Sequence, residues 1–435
     1  MIPQIAVVRV AMGQGQAHDA LEPPVFVILS ALTGVRQANL TFFDERRRPL
    51  PARLEADWVC LSVDTFAAAH AYILADHYRS LGIKVGLGGI HPTVLPDEAA
   101  AHADTVFVGD AEGVWPAFLR DLATGQAASR YVAPSDAPFV DTSGQPAPKG
   151  YLPLGVVQLS RGCRYTCDFC SVKALYPGPT RCKSIEMSIG EIAACPHRLV
   201  FIADDNLIAD RAWARDLFTA LVPLKKRWAC QVSIDVASDD ALLELMRRAG
   251  CFLVLIGFES LSPETLRAMH KTSNHVDRYR DAVAAIHRHH MMVYATFVIG
   301  YDSDTATTAD DILDFAKSCS FGVANFNPLS VYPGTPLYDR LTIEGRLAKP
   351  DWWLNPDYRY GELAHVPAGA AARQIEDGCR RARYSFYSAA GILRRLLHPP
   401  NWRYPLVFLV VNLVSAREIH RKQGTSLSER EEAHR

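Results

Sequence analysis

The sequence contains no long hydrophobic run. No window reaches the roughly 18 to 20 consecutive apolar residues that a membrane-spanning helix requires, and the longest candidate, residues 406–414, is about half that length. A secretory signal is also missing, because the opening residues, MIPQIAVVRV, show no basic segment followed by an apolar stretch. We therefore expect a cytoplasmic protein.

An excess of charge of either sign is absent as well. The 46 Lys and Arg residues are balanced by 47 Asp and Glu residues, which leaves a formal net charge of −1. Such a balance offers no general attraction for polyanions, so a nucleic-acid partner is not expected. In a reducing compartment, clustered members of the ten cysteines indicate metal binding or catalysis rather than disulfide bonds.

Strand-like and helix-like segments alternate through residues 1–121. A helical stretch at 67–81 separates two of the apolar runs. This alternation predicts a doubly wound, Rossmann-like α/β domain with a parallel sheet covered on both faces. Residues 122–150 lack sustained periodicity and are predicted to be a linker. The strand-like runs lie at 5–10, 40–43, 58–63, 84–87 and 105–108.

Residues 151–345 repeat a strand-then-helix pattern, which predicts a partial (β/α)6 TIM-like barrel with ligands at the C-terminal ends of its strands. From 346 to 435 the sequence becomes aromatic, basic and helical, so we expect a mainly helical C-terminal region. The predicted barrel strands are 155–160, 199–203, 230–235, 252–258, 293–299 and 323–331, and the clearest helices are 212–221, 239–249, 278–289 and 308–318.

The segment RGCRYTCDFC follows the first predicted barrel strand. Its spacing, C-x3-C-x2-C, places Cys163, Cys167 and Cys170 on one short loop. Three thiolates so close together can reach three corners of a [4Fe–4S] cluster and leave the fourth iron without a protein ligand. A zinc site completed by a residue such as Cys182 and a group of unrelated buried cysteines are the alternatives, although zinc sites favour paired C-x2-C knuckles and no second knuckle is present.

This loop resembles the defining C-x3-C-x-aromatic-C motif of the radical S-adenosylmethionine (radical SAM) enzymes, with Phe169 as the aromatic residue. The resemblance implies that the open iron chelates the amino and carboxylate groups of S-adenosylmethionine. One electron from the cluster then releases a 5′-deoxyadenosyl radical. It also implies an external reductant such as flavodoxin or ferredoxin.

The same resemblance implies that the ends of later strands complete the S-adenosylmethionine site. The segment FIADDN ends the second strand where the family contacts the methionine amino group, and an acidic cluster suits an ammonium. Polar residues after the third and fourth strands are candidates for ribose and carboxylate contacts. The alternative is that these side chains only cap the helices that follow. The candidates are Asp204, Asp205, Asn206, Gln231, Ser233 and Glu259.

Three strand ends in residues 1–121 carry the segments SVDT, GGIHPT and GDAE. Glycines at strand ends let the backbone approach a bulky ligand. In this order the segments resemble the cobalamin-binding domain that precedes many radical SAM enzymes. The alternative is a domain retained as a scaffold without cobalamin. The implied cobalamin contacts are Ser62, Thr65, Gly88, Gly89, His91, Thr93, Gly109 and Glu112.

One departure from other cobalamin proteins is the missing D-x-H-x-x-G loop. The loop after the first strand reads MGQGQAHDAL, in which His18 is an unpersuasive substitute. We therefore expect no histidine ligand to cobalt.

Together the resemblances imply a cobalamin-dependent radical methyltransferase acting on an unactivated carbon of a small substrate. The aromatic and apolar C-terminal sequence slightly favours an apolar substrate. A radical SAM cyclase or oxidoreductase with the same two domains is one alternative. An iron–sulfur electron carrier or sensor is another, although a carrier gains nothing from an unligated iron. No catalytic proton donor is assigned by sequence.

The apolar run at 406–414 lies between the basic residues Arg394 and Arg395 on one side and Arg417, Arg421 and Lys422 on the other. This pattern is typical of a helix that lies on a membrane surface. The alternative is an ordinary helix buried against the body of the protein.

Overall fold

Two parallel six-stranded sheets organise the part of the chain that the computed structural model describes, residues 2–12, 21–146 and 149–422. The first sheet has the order β2-β1-β3-β4-β5-β6, so the chain reverses direction across the sheet between β1 and β3. Its strands are β1 (Gln4–Arg9), β2 (Asn39–Asp44), β3 (Trp58–Ser62), β4 (Lys84–Gly88), β5 (Thr105–Val108) and β6 (Arg130–Val132).

Both faces of the first sheet are covered. Along β1, Ile5 and Val7 face one side, and Ala6 and Val8 face the other. This alternation is the period of two that a strand imposes on its side chains. The first side packs on α1 (Pro24–Leu32) and α5 (Ala111–Thr124), and the second packs on α2 (Ala68–Ser80), with α3 (Ile90–Val94) and α4 (Pro96–Ala100) beside it. The predicted doubly wound fold is confirmed.

The first sheet extends into the range predicted to be a linker. Helix α5 continues to Thr124 and ends at Gly125 in a left-handed conformation. Strand β6 then pairs in parallel with β5. This strand was not predicted, because it is three residues long and only Tyr131 within it is buried.

The second sheet runs in chain order, β7-β10-β11-β12-β13-β14, and all its neighbours are parallel, as the barrel prediction requires. A short antiparallel pair, β8 (Ser160–Arg161) and β9 (Arg181–Cys182), brackets the cysteine loop and α6 (Val172–Leu175). The barrel strands are β7 (Leu154–Val157), β10 (Leu199–Ile202), β11 (Arg227–Gln231), β12 (Cys251–Glu259), β13 (Met292–Ile299) and β14 (Val323–Pro328).

Several barrel helices begin at a side chain that caps the first turn. Asp210 accepts a hydrogen bond from the backbone N of Trp213, and Asp239 accepts one from that of Leu242. Such caps satisfy backbone donors that the helix itself cannot. The helices are α7 (Ile185–Ala194), α8 (Arg211–Leu221), α9 (Asp240–Ala249), α10 (Pro263–Ala268), α11 (Tyr279–Arg288), α12 (Thr308–Ser318) and α13 (Pro336–Ile343).

The C-terminal region becomes helical later than predicted. Prolines at 350, 356 and 367 interrupt the segment after α13, and a proline in a helix interior removes a hydrogen bond. In this segment Trp352 and Trp353 pack against the α2 face of the first sheet. The helices that follow are α14 (Ala372–Phe386), α15 (Ala389–Leu396), α16 (Pro399–Trp402) and α17 (Pro405–Arg421).

Helices α15 and α17 pack beside the barrel strands. Ile392 and Phe408 share an apolar cluster with Leu253 and Met292. Within the described ranges, no helix has the length and apolar character needed to cross a membrane.

Trp352→Ala tests whether this segment stabilises the first domain. The indole is 1% exposed and its Nε1 donates a hydrogen bond to the carbonyl of Val331 at 2.8 Å. We expect the free energy of unfolding to fall by about 3 to 5 kcal/mol, because truncation leaves a cavity. Urea unfolding followed by circular dichroism measures this. Trp402→Ala is the matched control, since Trp402 is 63% exposed and its removal should change stability by less than about 1 kcal/mol. Equal losses in the two variants would contradict the prediction.

Candidate functional site

The cysteine loop lies between β8 and α6, at the C-terminal edge of the barrel sheet. Burial raises the pKa of the Cys167 thiol to about 11; the charge of Lys271 opposes this rise, and the Cys170 and Cys163 thiols add to it. The three thiols and one cation therefore share a single neighbourhood. Cys182 lies on β9, opposite Ser160 in the pair that brackets the loop, and burial together with the charges of Asp210 and Asp204 raises the pKa of its thiol to about 12.

This donor set fits a [4Fe–4S] cluster, which takes thiolates at separate corners. Among residues 2–12, 21–146 and 149–422, no group of three or more His, Cys, Asp or Glu side chains is placed to hold a single metal ion. Cys163 and Cys170 are partly exposed and Cys167 is buried. The ligand role of the three cysteines stays a prediction.

Asp204 and Asp205 hold the strand that leads into the cysteine loop. Asp204 accepts hydrogen bonds from the backbone N of Leu159 at 2.7 Å and from the Ser160 hydroxyl at 2.6 Å. Asp205 accepts one from the backbone N of Gly162 at 2.8 Å. Burial raises the pKa of the Asp204 carboxyl to about 7, and these hydrogen bonds partly oppose the rise. This differs from the predicted contact to a methionine ammonium, because Asp204 is buried with both oxygens engaged by the loop.

Asn206 joins the cysteine loop to the end of β11. Its Nδ2 lies 3.7 Å from the Cys163 sulfur, and its Oδ1 accepts a hydrogen bond from the backbone N of Ser233 at 3.2 Å. Gln231 donates from Nε2 to the backbone carbonyl of Asp205 at 3.0 Å. The structure therefore brings together the residues predicted at the ends of the second and third strands, beside Cys163.

Glu259 ends β12 in an unusual backbone conformation. Its φ is +63°, in the left-handed region, and the pairing with β13 is irregular between Gly257 and Glu259. A carboxylate oxygen of Glu259 forms an ion pair with Lys271 Nζ at 2.9 Å. A Cβ at Gly257 would lie 2.0 Å from the same oxygen, so only glycine leaves room for this side chain.

Lys271 was not found from the sequence, because nothing in its local pattern distinguishes it from a surface lysine. Burial lowers the pKa of this ammonium, but the charges of Glu259 and Cys167 outweigh that effect and the net shift is upward. The lysine therefore remains a cation beside two of the three thiols.

The second half of the loop is anchored to the far side of the barrel. Tyr301 donates a hydrogen bond from its hydroxyl to Asp168. The ring of Phe169 meets the Tyr301 ring edge-on, with centroids 6.4 Å apart. Asp168 also accepts at its backbone carbonyl from the backbone N of Leu337 at 3.0 Å. These contacts were also missed, because they join residues far apart in sequence.

A cavity of about 230 Å³ opens at the C-terminal ends of β3, β4 and β5. Parallel sheets bind ligands at such strand ends. Its other wall comes from the barrel half of the chain, through Gln158, Arg161, Leu175 and Tyr176. The predicted cobalamin residues that line it are Ser62, Gly88, Gly89, Thr93, Gly109 and Glu112.

Gly89, in the GG pair at the end of β4, has a backbone conformation that favours glycine. Its φ is +111°, and a Cβ there would lie 2.6 Å from the carbonyl oxygen of Val63. Backbone therefore approaches backbone closely beside the cavity. Thr93 donates no side-chain bond into the cavity; its hydroxyl donates to the carbonyl of Gly89 and accepts from the backbone N of Gly109.

Two predicted cobalamin residues lie away from this cavity. Thr65 is buried at the start of a short 3-10 turn. His91 is fully buried, and its Nε2 lies 2.9 Å from Glu98 and 3.1 Å from the hydroxyl of Tyr72. The first turn of α3 directs His91 toward α2, so its predicted ligand contact differs from its placement here. His18 lies outside the described residues.

Comparison with protein families identifies part of the chain directly. The family model of the radical SAM superfamily matches residues 157–316, which include the cysteine loop and most of the barrel. The match begins at the last residue of β7.

Two relatives and one solved structure extend the comparison. Bacteriochlorophyllide d C-12(1)-methyltransferase of Chlorobaculum tepidum is 28% identical over 408 residues, which are 90% of this chain and 88% of that protein. Hopanoid C-2 methylase of Rhodopseudomonas palustris is 35% identical over 259 residues, which are 57% of this chain and 49% of that longer protein.

The radical S-adenosylmethionine methyltransferase TsrM of Kitasatospora setae, solved with cobalamin and a [4Fe–4S] cluster, has a similar fold. The TM-score is 0.65 at 14% identity, and the match covers 99% of this chain and 93% of that one. Residues 157–316 therefore match the radical SAM superfamily, and the chain shares its overall fold with TsrM.

Proposed function

We propose that this chain is a cobalamin-dependent radical SAM methyltransferase that acts on an unactivated carbon. The observation that carries the proposal is the shared wall of the two sites. Gln158 and Arg161 line the first-domain cavity, and the chain reaches Cys163 two residues after Arg161. Ligands of the cavity and of the cysteine loop would therefore lie next to each other, as methyl transfer between them requires.

The relatives support the reaction type. Both are named for adding a methyl group to a carbon, C-12(1) of bacteriochlorophyllide d in one and C-2 of a hopanoid in the other. We extend that reaction, but neither substrate, to this chain. The substrate that we propose is a small molecule with an apolar carbon framework.

When bound, the cluster and S-adenosylmethionine supply a hydrogen-abstracting radical, and cobalamin supplies the methyl group. The chain's own residues hold and position these groups. Cys163, Cys167 and Cys170 would ligate the cluster, while Asp205 and Asn206 fix the loop through Gly162 and Cys163. The strand ends around the loop exclude water, because Asn206 and Glu259 are buried there.

The first test is product analysis after anaerobic reconstitution with iron, sulfide and hydroxocobalamin. With S-adenosylmethionine and reduced flavodoxin or ferredoxin, we expect both 5′-deoxyadenosine and S-adenosylhomocysteine. Cys167→Ala should abolish the iron–sulfur absorption and both products. Cys319→Ala, a buried cysteine in the barrel core, is the control and should keep them.

Each failure in that assay selects a different alternative. Absence of 5′-deoxyadenosine from the reconstituted protein would favour an electron carrier or sensor. Release of 5′-deoxyadenosine without S-adenosylhomocysteine would favour a cyclase or oxidoreductase and contradict methyl transfer.

Lys271→Met tests the cation beside the thiols. Loss of a positive charge disfavours adding an electron nearby, so the reduction potential of the cluster should become more negative. We expect a change on the order of 60 mV, which is a tenfold change in a one-electron equilibrium. Potentiometric titration followed by EPR measures it. Lys349→Met is the control, because Lys349 pairs with Glu362 in the C-terminal segment; an equal shift there would refute a local effect.

We further propose that the enzyme works at the cytoplasmic face of a membrane. One face of α17 is buried through Phe408 and Asn412, whereas Leu406, Val410 and Leu413 on the other face are 77%, 60% and 57% exposed. Helices α15 and α16, which pack against α17, also end in or carry exposed apolar side chains. They are Leu393, Leu397 and Trp402.

The charges around this apolar surface favour an anionic bilayer. Arg394 on α15, Arg403 just after α16 and Arg417 on α17 are exposed. Glu418 is buried and forms ion pairs with Arg421 and Lys422. Apolar side chains flanked by cations are the pattern of helices that lie in the lipid interface.

Flotation with phosphatidylglycerol-containing vesicles tests the membrane surface. We expect the protein to float with these vesicles and a triple variant, Leu406→Gln, Val410→Gln and Leu413→Gln, to bind at least about tenfold more weakly, because each change removes apolar burial. Val35→Gln is the control, since Val35 is 91% exposed in the first domain. Concentration-dependent dimerisation without vesicle binding would instead assign this face to a second copy of the chain and contradict the proposal.

A further inference from the structure

A buried arginine joins the two halves of the molecule. Arg161 is 5% exposed, and its guanidinium donates two hydrogen bonds to the carboxylate of Glu112, at 2.8 and 3.1 Å. It lies 2.9 Å from Asp110 and donates from Nε to Gln158 at 3.0 Å. Two parallel N–H···O bonds fix both distance and orientation, which a single point contact does not.

A second arginine reaches the same loop. Arg181 lies directly opposite Arg161 in the antiparallel pair β8–β9 and forms an ion pair with Asp110. Like charges opposite each other on neighbouring strands repel. The carboxylates of Asp110 and Glu112 offset that repulsion, so the β8–β9 pair depends on the first domain for its electrostatic balance.

This network touches both candidate sites. Asp110, Glu112 and Arg161 line the first-domain cavity. Arg161 is followed at once by Gly162, which Asp205 holds, and then by Cys163. A displacement of the cavity wall at Arg161 would therefore move the start of the cysteine loop, with only one residue between them.

We propose that Arg161 is a positioning residue that couples occupancy of the first-domain cavity to S-adenosylmethionine binding at the cysteine loop. A ligand that packs against the cavity wall holds the Arg161–Glu112 pair in place and with it the register of the loop. Coupling of this kind is reciprocal, so each ligand strengthens binding of the other. The inference rests on the proposed function, because it takes cobalamin as the cavity ligand.

The test measures KM for S-adenosylmethionine in 5′-deoxyadenosine formation, with and without saturating hydroxocobalamin, on reconstituted full-length protein. For the unaltered protein we expect hydroxocobalamin to lower KM at least about fivefold. We define the KM ratio as KM without hydroxocobalamin divided by KM with it. In the double variant Arg161→Met with Glu112→Leu this ratio should lie within about twofold of one, while the absorption spectrum still shows cluster and cobalamin. Replacing both partners of a buried ion pair by apolar residues commonly preserves folding.

Two single variants and a control complete the design. Arg161→Lys keeps the positive charge but loses the pair of parallel hydrogen bonds to Glu112, and it should retain part of the KM ratio. Glu112→Gln keeps the shape without the charge and provides a second measurement if the double variant fails to fold. Arg130→Gln breaks an exposed ion pair between Arg130 on β6 and Asp97 on α4 and should leave the KM ratio unchanged.

The outcomes separate this inference from the proposed function. If the unaltered protein binds no hydroxocobalamin, the cobalamin proposal and this inference both fail. If it binds hydroxocobalamin without a change in KM, or if the variants keep the full ratio, only the coupling is refuted, and the Arg161–Glu112 pair is then a contact that serves folding alone.

Discussion

Three thiols can hold one cluster only if the short loop that carries them keeps a single shape, and much of the polar structure around residues 159–170 serves that constraint. Asp204, Asp205 and Asp168 each give carboxylate or carbonyl oxygens to backbone or hydroxyl donors of the loop and its supports. Buried carboxylates are unfavourable unless their oxygens are satisfied, so these contacts tie the position of the loop to the stability of the barrel. The loop is thus held from both sides.

The same constraint explains why the two halves of the chain meet where they do. The cavity at the ends of β3, β4 and β5 has one wall from the first domain and one from the segment that precedes Cys163. If the two regions hold cofactors as proposed, this arrangement would place the reacting groups at short distance and avoid the entropy of a diffusive encounter. Ion pairs between Asp110, Glu112, Arg161 and Arg181 hold this junction, and Glu112 and Arg161 are buried in it.

The sequence predicted those features that depend on local pattern. The doubly wound sheet and the six barrel strands followed from apolar runs, and the cysteine spacing identified the loop that the family match includes. The direction in which a side chain points was harder to predict from the sequence. Asp204 and His91 were predicted to face ligands, but Asp204 turns toward Leu159 and His91 toward Glu98.

Contacts between distant positions were missed for a related reason. Lys271, in the turn after α10, and Tyr301, just after β13, approach the cysteine loop from distant parts of the chain, and no spacing rule connects them to it. Strand β6 was missed because three residues with one buried side chain carry almost no periodic signal. The prolines after α13 predict a loop. Only the folded chain shows that Trp352 and Trp353 in this segment pack against the first sheet.

The packing of Trp352 and Trp353 on the first sheet has a consequence for folding during synthesis. The α2 face of the first sheet is complete as a set of strands once the ribosome has passed β6, yet the two indoles that cover part of it are about 220 residues further along. At about 5 to 20 residues per second the face waits on the order of ten to forty seconds for its cover. A nascent chain with exposed apolar surface for that long is a natural client for ribosome-associated chaperones.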